Sequence, residues 1–135
     1  ILCEMPLGPF NTRHVTMWFN ELIKRGYKPI LAHPERYYEF HQDYTLIDDL
    51  IQLGVLFQVN LDSLIGSNGP DAQGMGVDMI CRDIAHFIAS DAHDLIYRHT
   101  RLTEKLDEIP VEIDEDLIEK CLRTNPKKVI ENQPI

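Results

Sequence analysis

Four side chains that could bind a divalent metal ion each follow closely on a short apolar run of the sequence. They are Glu4, His33, Asp91 and His93. Mixed imidazole and carboxylate ligands suit borderline and hard divalent ions such as manganese, zinc and iron, whereas a thiolate site would use cysteine. Asp91 and His93 are two positions apart, so in an extended segment both side chains point the same way and can meet one ion. Sites of this composition are typical of hydrolysis.

The apolar runs predict buried strands that bring these residues to one place. The strands are expected to begin at Ile1, Lys28, Val55 and Ala85. These starts are 27, 27 and 30 residues apart, which is room for a strand, a helix and two loops and predicts parallel pairing with right-handed crossovers. Because parallel strands end at one edge of their sheet, we expect the four candidate ligands to converge there, with Asn60 and Ser63 lining the same pocket.

Apolar residues at helical spacing predict the helices between the strands. The first is expected to run from a cap at Asn11 or Thr12 to a left-handed stop at Gly26, and the second to end at Gly54. A third is expected over roughly residues 71–81, although two glycines within it weaken the prediction.

The remaining segments are predicted from their composition. Residues 37–41, which mix aromatic and polar side chains, are expected to form a loop. Thr124 or Asn125 is expected to cap the last helix of the chain. Short helices are expected at residues 102–106, 117–122 and 126–130.

Composition and charge exclude several classes of protein. The chain has 135 residues, enough for one domain or part of one, and a formal net charge of −9, which opposes binding to nucleic acid. Its three cysteines are widely spaced without a Cys-x-x-Cys pair, which disfavours a disulfide framework and a zinc ribbon. There is no membrane-spanning apolar run and no signal segment, so no membrane insertion is expected and the cytoplasm is the expected location.

Two arginines could bind a phosphoryl group beside the candidate ligands. Arg36 and Arg98 each follow a candidate ligand by a few residues, and a planar guanidinium can donate two hydrogen bonds to one phosphoryl group. The alternative is a surface ion pair, with Glu35 or Glu39 for Arg36 and with Asp94 for Arg98. The sequence leaves these two interpretations equally open for each arginine.

Three strings of residues together resemble a known family. They are Glu4-Met5-Pro6, His33-Pro34-Glu35-Arg36-Tyr37 and Ser90-Asp91-Ala92-His93, the last followed by Arg98. This combination is similar to the bacterial metal-dependent tyrosine-protein phosphatases of capsule and exopolysaccharide synthesis, which belong to the polymerase and histidinol phosphatase (PHP) superfamily. The Asn125-Pro126 turn also fits, so the resemblance extends over nearly the whole chain.

The resemblance implies a fold, a cofactor and a substrate. The fold would be a distorted, TIM-like (β/α)7 barrel of the PHP type, incomplete here, with about four parallel strands and the C-terminal helices. Residues 1–135 would be the carboxyl-terminal part of a single PHP phosphatase domain. The complete protein would hold up to three divalent ions, usually Mn²⁺, and would hydrolyse phosphotyrosine on a tyrosine autokinase.

The resemblance also implies roles for particular residues. Glu4 would be a bridging metal ligand, and His33, Asp91 and His93 would be further ligands. Arg36 and Arg98 would bind the phosphate. Family members begin with a His-x-His motif that supplies further ligands, and this sequence contains none.

Other functions remain alternatives on the sequence. A small-molecule PHP phosphoesterase of the histidinol-phosphate type would share the metal ligands. A non-catalytic partial barrel that pairs edge to edge as a homo-oligomer is the second alternative. Phosphatases with a Cys-x5-Arg nucleophile are excluded, because the residues six positions beyond the three cysteines are Pro9, Phe87 and Lys127.

Overall fold

A sheet of four parallel strands forms the centre of the computed structural model, which describes residues 1–93, 103–110 and 112–135. The strands are β1 (Leu2–Cys3), β2 (Ile30–Ala32), β3 (Leu56–Asn60) and β4 (Phe87–Ala89). Each strand pairs in parallel with the next one along the chain. The predicted succession of parallel strands is therefore confirmed. A closed barrel is not formed by the described residues, whose sheet order is β1-β2-β3-β4.

Helices connect and cover the strands. The α-helices are α1 (Thr12–Lys24), α2 (Tyr38–Gln42), α3 (Thr45–Leu53), α4 (Leu61–Leu64), α5 (Pro70–Cys81), α6 (Glu115–Glu119) and α7 (Asn125–Ile130). Short 3₁₀ helices occupy Pro34–Arg36 and Thr103–Glu108. The side chain of Asn11 accepts a hydrogen bond from the Arg13 N–H and caps α1, as predicted. In the part of the chain that the structure describes, none of the helices combines the length and the apolar character that crossing a membrane requires.

The hydrophobic core explains why α1 and α3 lie where they do. Val15 and Phe19 on α1 and Ile47 and Leu50 on α3 are spaced three or four residues apart and are almost fully buried. They join the inward-facing side chains of the strands in one core cluster. Each such side chain stabilises the fold by roughly 1.5–3 kcal/mol relative to an exposed position.

Helix α5 contains two glycines that play different parts. A Cβ atom at Gly76 would lie 3.2 Å from Val59 Cγ1 and 3.3 Å from Leu64 Cδ2, so glycine lets the helix approach β3 and α4 closely. A Cβ atom at Gly74 would meet nothing within 4 Å. The helix at 71–81 is thus confirmed, with packing that offsets the low helix propensity of glycine.

This difference predicts opposite outcomes for the same substitution. Gly74→Ala is expected to raise the free energy of unfolding by about 0.5–1 kcal/mol, because alanine costs less conformational entropy in a helix and meets no neighbour here. Gly76→Ala is the matched control and is expected to give no gain, because Val59 and Leu64 must move. Urea denaturation of both variants measures the difference, and equal gains would contradict the packing described for Gly76.

Most of the segment predicted as a loop at residues 37–41 is helical, since α2 begins at Tyr38. Phe40 on α2 is fully buried. Its ring packs edge-on against Tyr37 at 5.8 Å and against Phe10 at 6.3 Å between centroids. The loop prediction was wrong because the aromatic side chains fill the core rather than lining a surface turn.

The predicted break between two C-terminal helices is also wrong. A π-helical turn at Lys120–Thr124 joins α6 to α7 without interruption, and Thr124 has helical backbone angles and no capping bond. The wider turn keeps two residues facing the sheet: the Cys121 thiol lies 3.4 Å from the Ala85 carbonyl, and the Asn125 side chain donates to the His86 carbonyl at 2.9 Å.

His86 makes folding stability depend on pH. Its Nδ1 accepts a hydrogen bond from the Phe57 N–H at 3.2 Å, and burial, followed by the charge of Lys120, lowers the pKa of the imidazole. The unfolded chain therefore takes up the proton more readily as the pH falls below about 6.5, and stability is lost in that range. We expect His86→Asn, whose Oδ1 can replace Nδ1 as acceptor, to lose less stability between pH 7.5 and 5.5. Denaturant titrations at the two pH values measure the free energy of unfolding of the wild type and the variant. Equal losses of stability in the two proteins would contradict this role of His86.

Candidate functional site

Polar side chains gather where the parallel strands end. Glu4 follows β1, His33 follows β2, Asn60 ends β3, and Asp91 and His93 follow β4. We refer to these five residues as the rim. Because β1 to β4 are parallel neighbours, the rim lies along one edge of the sheet.

Glu4 and His33 form one contact of the rim. Glu4 Oε1 lies 3.1 Å from His33 Nε2, with the carboxylate exposed and the imidazole buried. Burial and the charge of Arg36 lower the pKa of His33, so the ring is neutral near pH 7. Tyr37 supports the ring at 5.3 Å between centroids, and its hydroxyl accepts a hydrogen bond from the Met5 N–H. This hydrogen bond between Met5 and Tyr37 fixes the position of the backbone directly after Glu4.

Asp91 is the centre of a second set of contacts. Arg36 Nη1 lies 3.6 Å from Asp91 Oδ2, and the Asn60 side-chain amide donates to the same oxygen at 3.2 Å. His93 Nδ1 lies 2.6 Å from the Asp91 carbonyl oxygen. Because a carbonyl can only accept, Nδ1 carries the proton, and the lone pair of His93 lies on Nε2.

The backbone is strained at two rim residues. His33 has φ 36° and Asp91 has φ 52°, in the left-handed region that non-glycine residues seldom occupy. Each lies just beyond the end of a strand. Strain of this kind costs of order 1–3 kcal/mol and is common at functional sites.

Glu35 belongs to the site although the sequence did not suggest it. It is fully buried, and its Oε1 accepts hydrogen bonds from the Ser63 hydroxyl at 2.6 Å and the Asn60 N–H at 3.1 Å. Its Oε2 has no hydrogen-bond partner within the described ranges. Burial raises the pKa of Glu35 to about 7. The available signal was its position between Pro34 and Arg36, but a lone glutamate is usually exposed.

The structure excludes the ion-pair partners that the sequence suggested for Arg36. A surface ion pair with Glu35 or Glu39 is wrong, because Arg36 pairs with Asp91 and Glu39 Oε1 accepts a hydrogen bond from the Phe10 N–H at 3.1 Å. Arg36 thus faces the rim. Arg98 and its alternative partner Asp94 lie outside the described residues.

The rim offers metal ligands in pairs. Glu4 with His33 and Asp91 with His93 supply the nitrogen and oxygen donors that a hard or borderline divalent ion accepts. His33 Nδ1 is buried and lacks a hydrogen-bond partner among the residues described. In the same residues no group of three or more His, Cys, Asp or Glu is arranged to hold an ion. The donors fit a divalent metal in type, but the described residues do not form a full ligand set.

A solved structure has this fold. It comes from crystal structures of YwqE from Bacillus subtilis and CpsB from Streptococcus pneumoniae, described as unique metal-dependent tyrosine phosphatases. The superposition has a TM-score of 0.80 at 29% sequence identity and covers 98% of this chain and 53% of the other. The class to which fold and rim point is therefore that of α/β proteins related to metal-dependent tyrosine phosphatases.

The sequence comparisons identify the family. The capsular polysaccharide synthesis family CpsB/CapC matches residues 3–131, and the chain belongs to this family. It is 35% identical over 137 residues to the putative tyrosine-protein phosphatase CapC of Staphylococcus aureus and 30% identical over 135 residues to the tyrosine-protein phosphatase YwqE of Bacillus subtilis. Both alignments cover 100% of this chain and 52% of the relative, so the chain spans about half the length of these proteins.

Proposed function

We propose that the chain is part of a metal-dependent protein-tyrosine phosphatase of capsule or exopolysaccharide synthesis. The observation that carries the proposal is the pairing of Arg36 with Asp91 on the edge where Glu4 meets His33. A phosphate-binding cation beside metal-ligand side chains is what phosphomonoester hydrolysis requires. Membership of the CpsB/CapC family supports the same reaction.

In this proposal four rim residues hold the metal. They are Glu4, His33, Asp91 and His93. A divalent ion, for which we propose Mn²⁺, would supply a Lewis acid that polarises the phosphoryl group and lowers the pKa of water to roughly 7. Up to three ions would bind in the complete protein, with further ligands from outside residues 1–135.

The side chains of this chain would bind and orient the phosphoryl group. The guanidinium of Arg36 would donate hydrogen bonds to two phosphoryl oxygens, and Arg98 would bind the same phosphoryl group. Asp91, held by the Asn60 amide, would keep Arg36 directed at the rim. The leaving phenol, with a pKa of about 10, needs less protonation than an alkyl alcohol would.

The wider setting is also part of the proposal. Residues 1–135 would form the carboxyl-terminal part of one distorted (β/α)7 barrel of the PHP type, since the chain spans about half of its relatives. The partner would be a phosphorylated tyrosine autokinase. A cytoplasmic location agrees with the three free cysteines.

The test compares substrates on the full-length protein. After chelation, added Mn²⁺ is expected to restore hydrolysis of p-nitrophenyl phosphate and of a phosphotyrosine peptide, with histidinol phosphate turned over poorly. A preference for histidinol phosphate would favour the small-molecule phosphoesterase. No hydrolysis of any of the three with metal would overturn the proposal and favour a non-catalytic protein.

A further inference from the structure

Two adjoining clefts lead away from Arg36. The first has a volume of about 330 Å³ and begins between Arg36, Leu7 and the exposed ring of Tyr38. The second has a volume of about 510 Å³ and ends at Tyr44 and Asp78. His41 and Asp71 line both clefts, so the two adjoin, and Arg36, which pairs with Asp91 of the rim, lines the first of them. We call the two clefts together the flanking channel.

A buried carboxylate lines the start of the flanking channel. Glu35 lines the first cleft, is fully buried, and has no hydrogen-bond partner at Oε2 in the ranges that the structure describes. A buried acceptor that lacks a donor costs roughly 1–3 kcal/mol unless a ligand or water supplies one. The residue after it, Arg36, is the proposed phosphate-binding group. A ligand that donates a hydrogen bond here would therefore adjoin the phosphoryl group.

The flanking channel is acidic where the two clefts join. Asp71 is exposed in the first turn of α5, and its carboxylate makes no hydrogen bond or ion pair with the described part of the chain. Asp78, at the far end, accepts a hydrogen bond from the Tyr44 hydroxyl at 2.8 Å and pairs with Arg82 at 3.3 Å. Asp71 thus has no cationic side chain paired with it among the described residues, and its carboxylate favours a cationic partner.

We propose that the flanking channel binds the polypeptide on one side of the phosphotyrosine and that Asp71 selects a basic residue there. This rests on the proposed function and adds a substrate preference to it. The two clefts extend from Arg36 beyond the rim and so offer room for residues that flank the phosphotyrosine, whereas a small phosphoester would need only the rim. The side chains that contact the peptide would be Tyr38, His41 and Asp71.

The test uses the full-length, Mn²⁺-loaded protein with three phosphotyrosine peptides that carry Lys, Ala or Glu at the flanking positions. The wild type is expected to have a KM about two- to fivefold lower for the Lys peptide than for the Glu peptide, the range typical of an exposed charge pair. Asp71→Lys is expected to reverse this order. Fluorescence anisotropy with non-hydrolysable phosphonate versions of the peptides measures Kd and should give the same order.

Asp49→Asn is the control, because Asp49 is exposed on α3 and lines neither cleft. It is expected to keep the wild-type order of the peptides. If the wild type hydrolyses p-nitrophenyl phosphate but Asp71→Lys leaves the peptide order unchanged, the flanking channel is not the peptide site while the proposed function stands. If the wild type hydrolyses nothing, the proposed function fails and the inference fails with it.

Discussion

Asp91→Asn is expected to lower kcat/KM for p-nitrophenyl phosphate by about 10³-fold in the full-length protein, or about 4 kcal/mol of transition-state stabilisation. In the proposed site Asp91 would be an anionic metal ligand, and its carboxylate faces Arg36 at 3.6 Å; the amide removes the single negative charge on which both interactions depend. Asparagine is the cleanest replacement, because it tolerates the left-handed backbone that Asp91 adopts at φ 52°. Its side-chain oxygen can still accept the hydrogen bond from Asn60. The free energy of unfolding should therefore change by less than about 1 kcal/mol.

His33→Ala provides a second variant of the same site. It is expected to abolish turnover as well, but the cavity left by a buried ring will also cost stability. Asp49→Asn, which makes the same chemical change on the exposed surface of α3, is the control and should keep wild-type activity. Wild-type turnover in Asp91→Asn, with folding confirmed by circular dichroism, would show that the rim is not the catalytic site.

Glu35→Ala is expected to destabilise the fold by about 3 kcal/mol. Removal of the carboxylate leaves the Ser63 hydroxyl and the Asn60 N–H buried without their acceptor, and each such loss costs about 1–3 kcal/mol. The substitution also leaves a cavity beneath the rim. The loss is measured as the difference in free energy of unfolding by urea denaturation near pH 7.

Glu35→Gln is the matched variant for this prediction. Its side-chain oxygen can accept both hydrogen bonds, and it fills nearly the same volume, so a loss below about 1 kcal/mol is expected. Because Asn60 also donates to Asp91, Glu35→Ala should lower activity through the position of Asp91, and Glu35→Gln much less. Equal losses of stability in the two variants would mean that the hydrogen bonds to Oε1 contribute little.

The parts of the fold that sequence could predict are those set by local pattern. The parallel strands, α1 with its Asn11 cap and α5 follow from apolar periodicity and turn residues, which depend on neighbours in sequence. The helix α2 was missed because Phe40 is buried partly by packing with Phe10, a contact between residues 30 positions apart in sequence. The π-helical turn at Lys120–Thr124 likewise depends on contacts of Cys121 and Asn125 with the segment before β4.

Part of the candidate site could likewise be predicted from the sequence, and part of it could not. Residue type and position after a strand were enough to single out Glu4, His33 and Asp91. The role of Glu35 could not be predicted, because its burial depends on Ser63, 28 positions away in sequence. Nor could the pairing of Arg36 with Asp91 be chosen over nearer carboxylates, since sequence distance favours the neighbours and the sheet brings the distant residue closer.

Anomalous diffraction at the manganese edge, from crystals of the full-length protein grown with Mn²⁺, tests the central claim most directly. We predict an anomalous peak at the rim, within bonding distance of side chains from both ligand pairs, Glu4 with His33 and Asp91 with His93. Loss of the peak in Asp91→Asn crystals would agree with this assignment. A manganese peak away from these residues, or no peak in crystals of active enzyme, would contradict it.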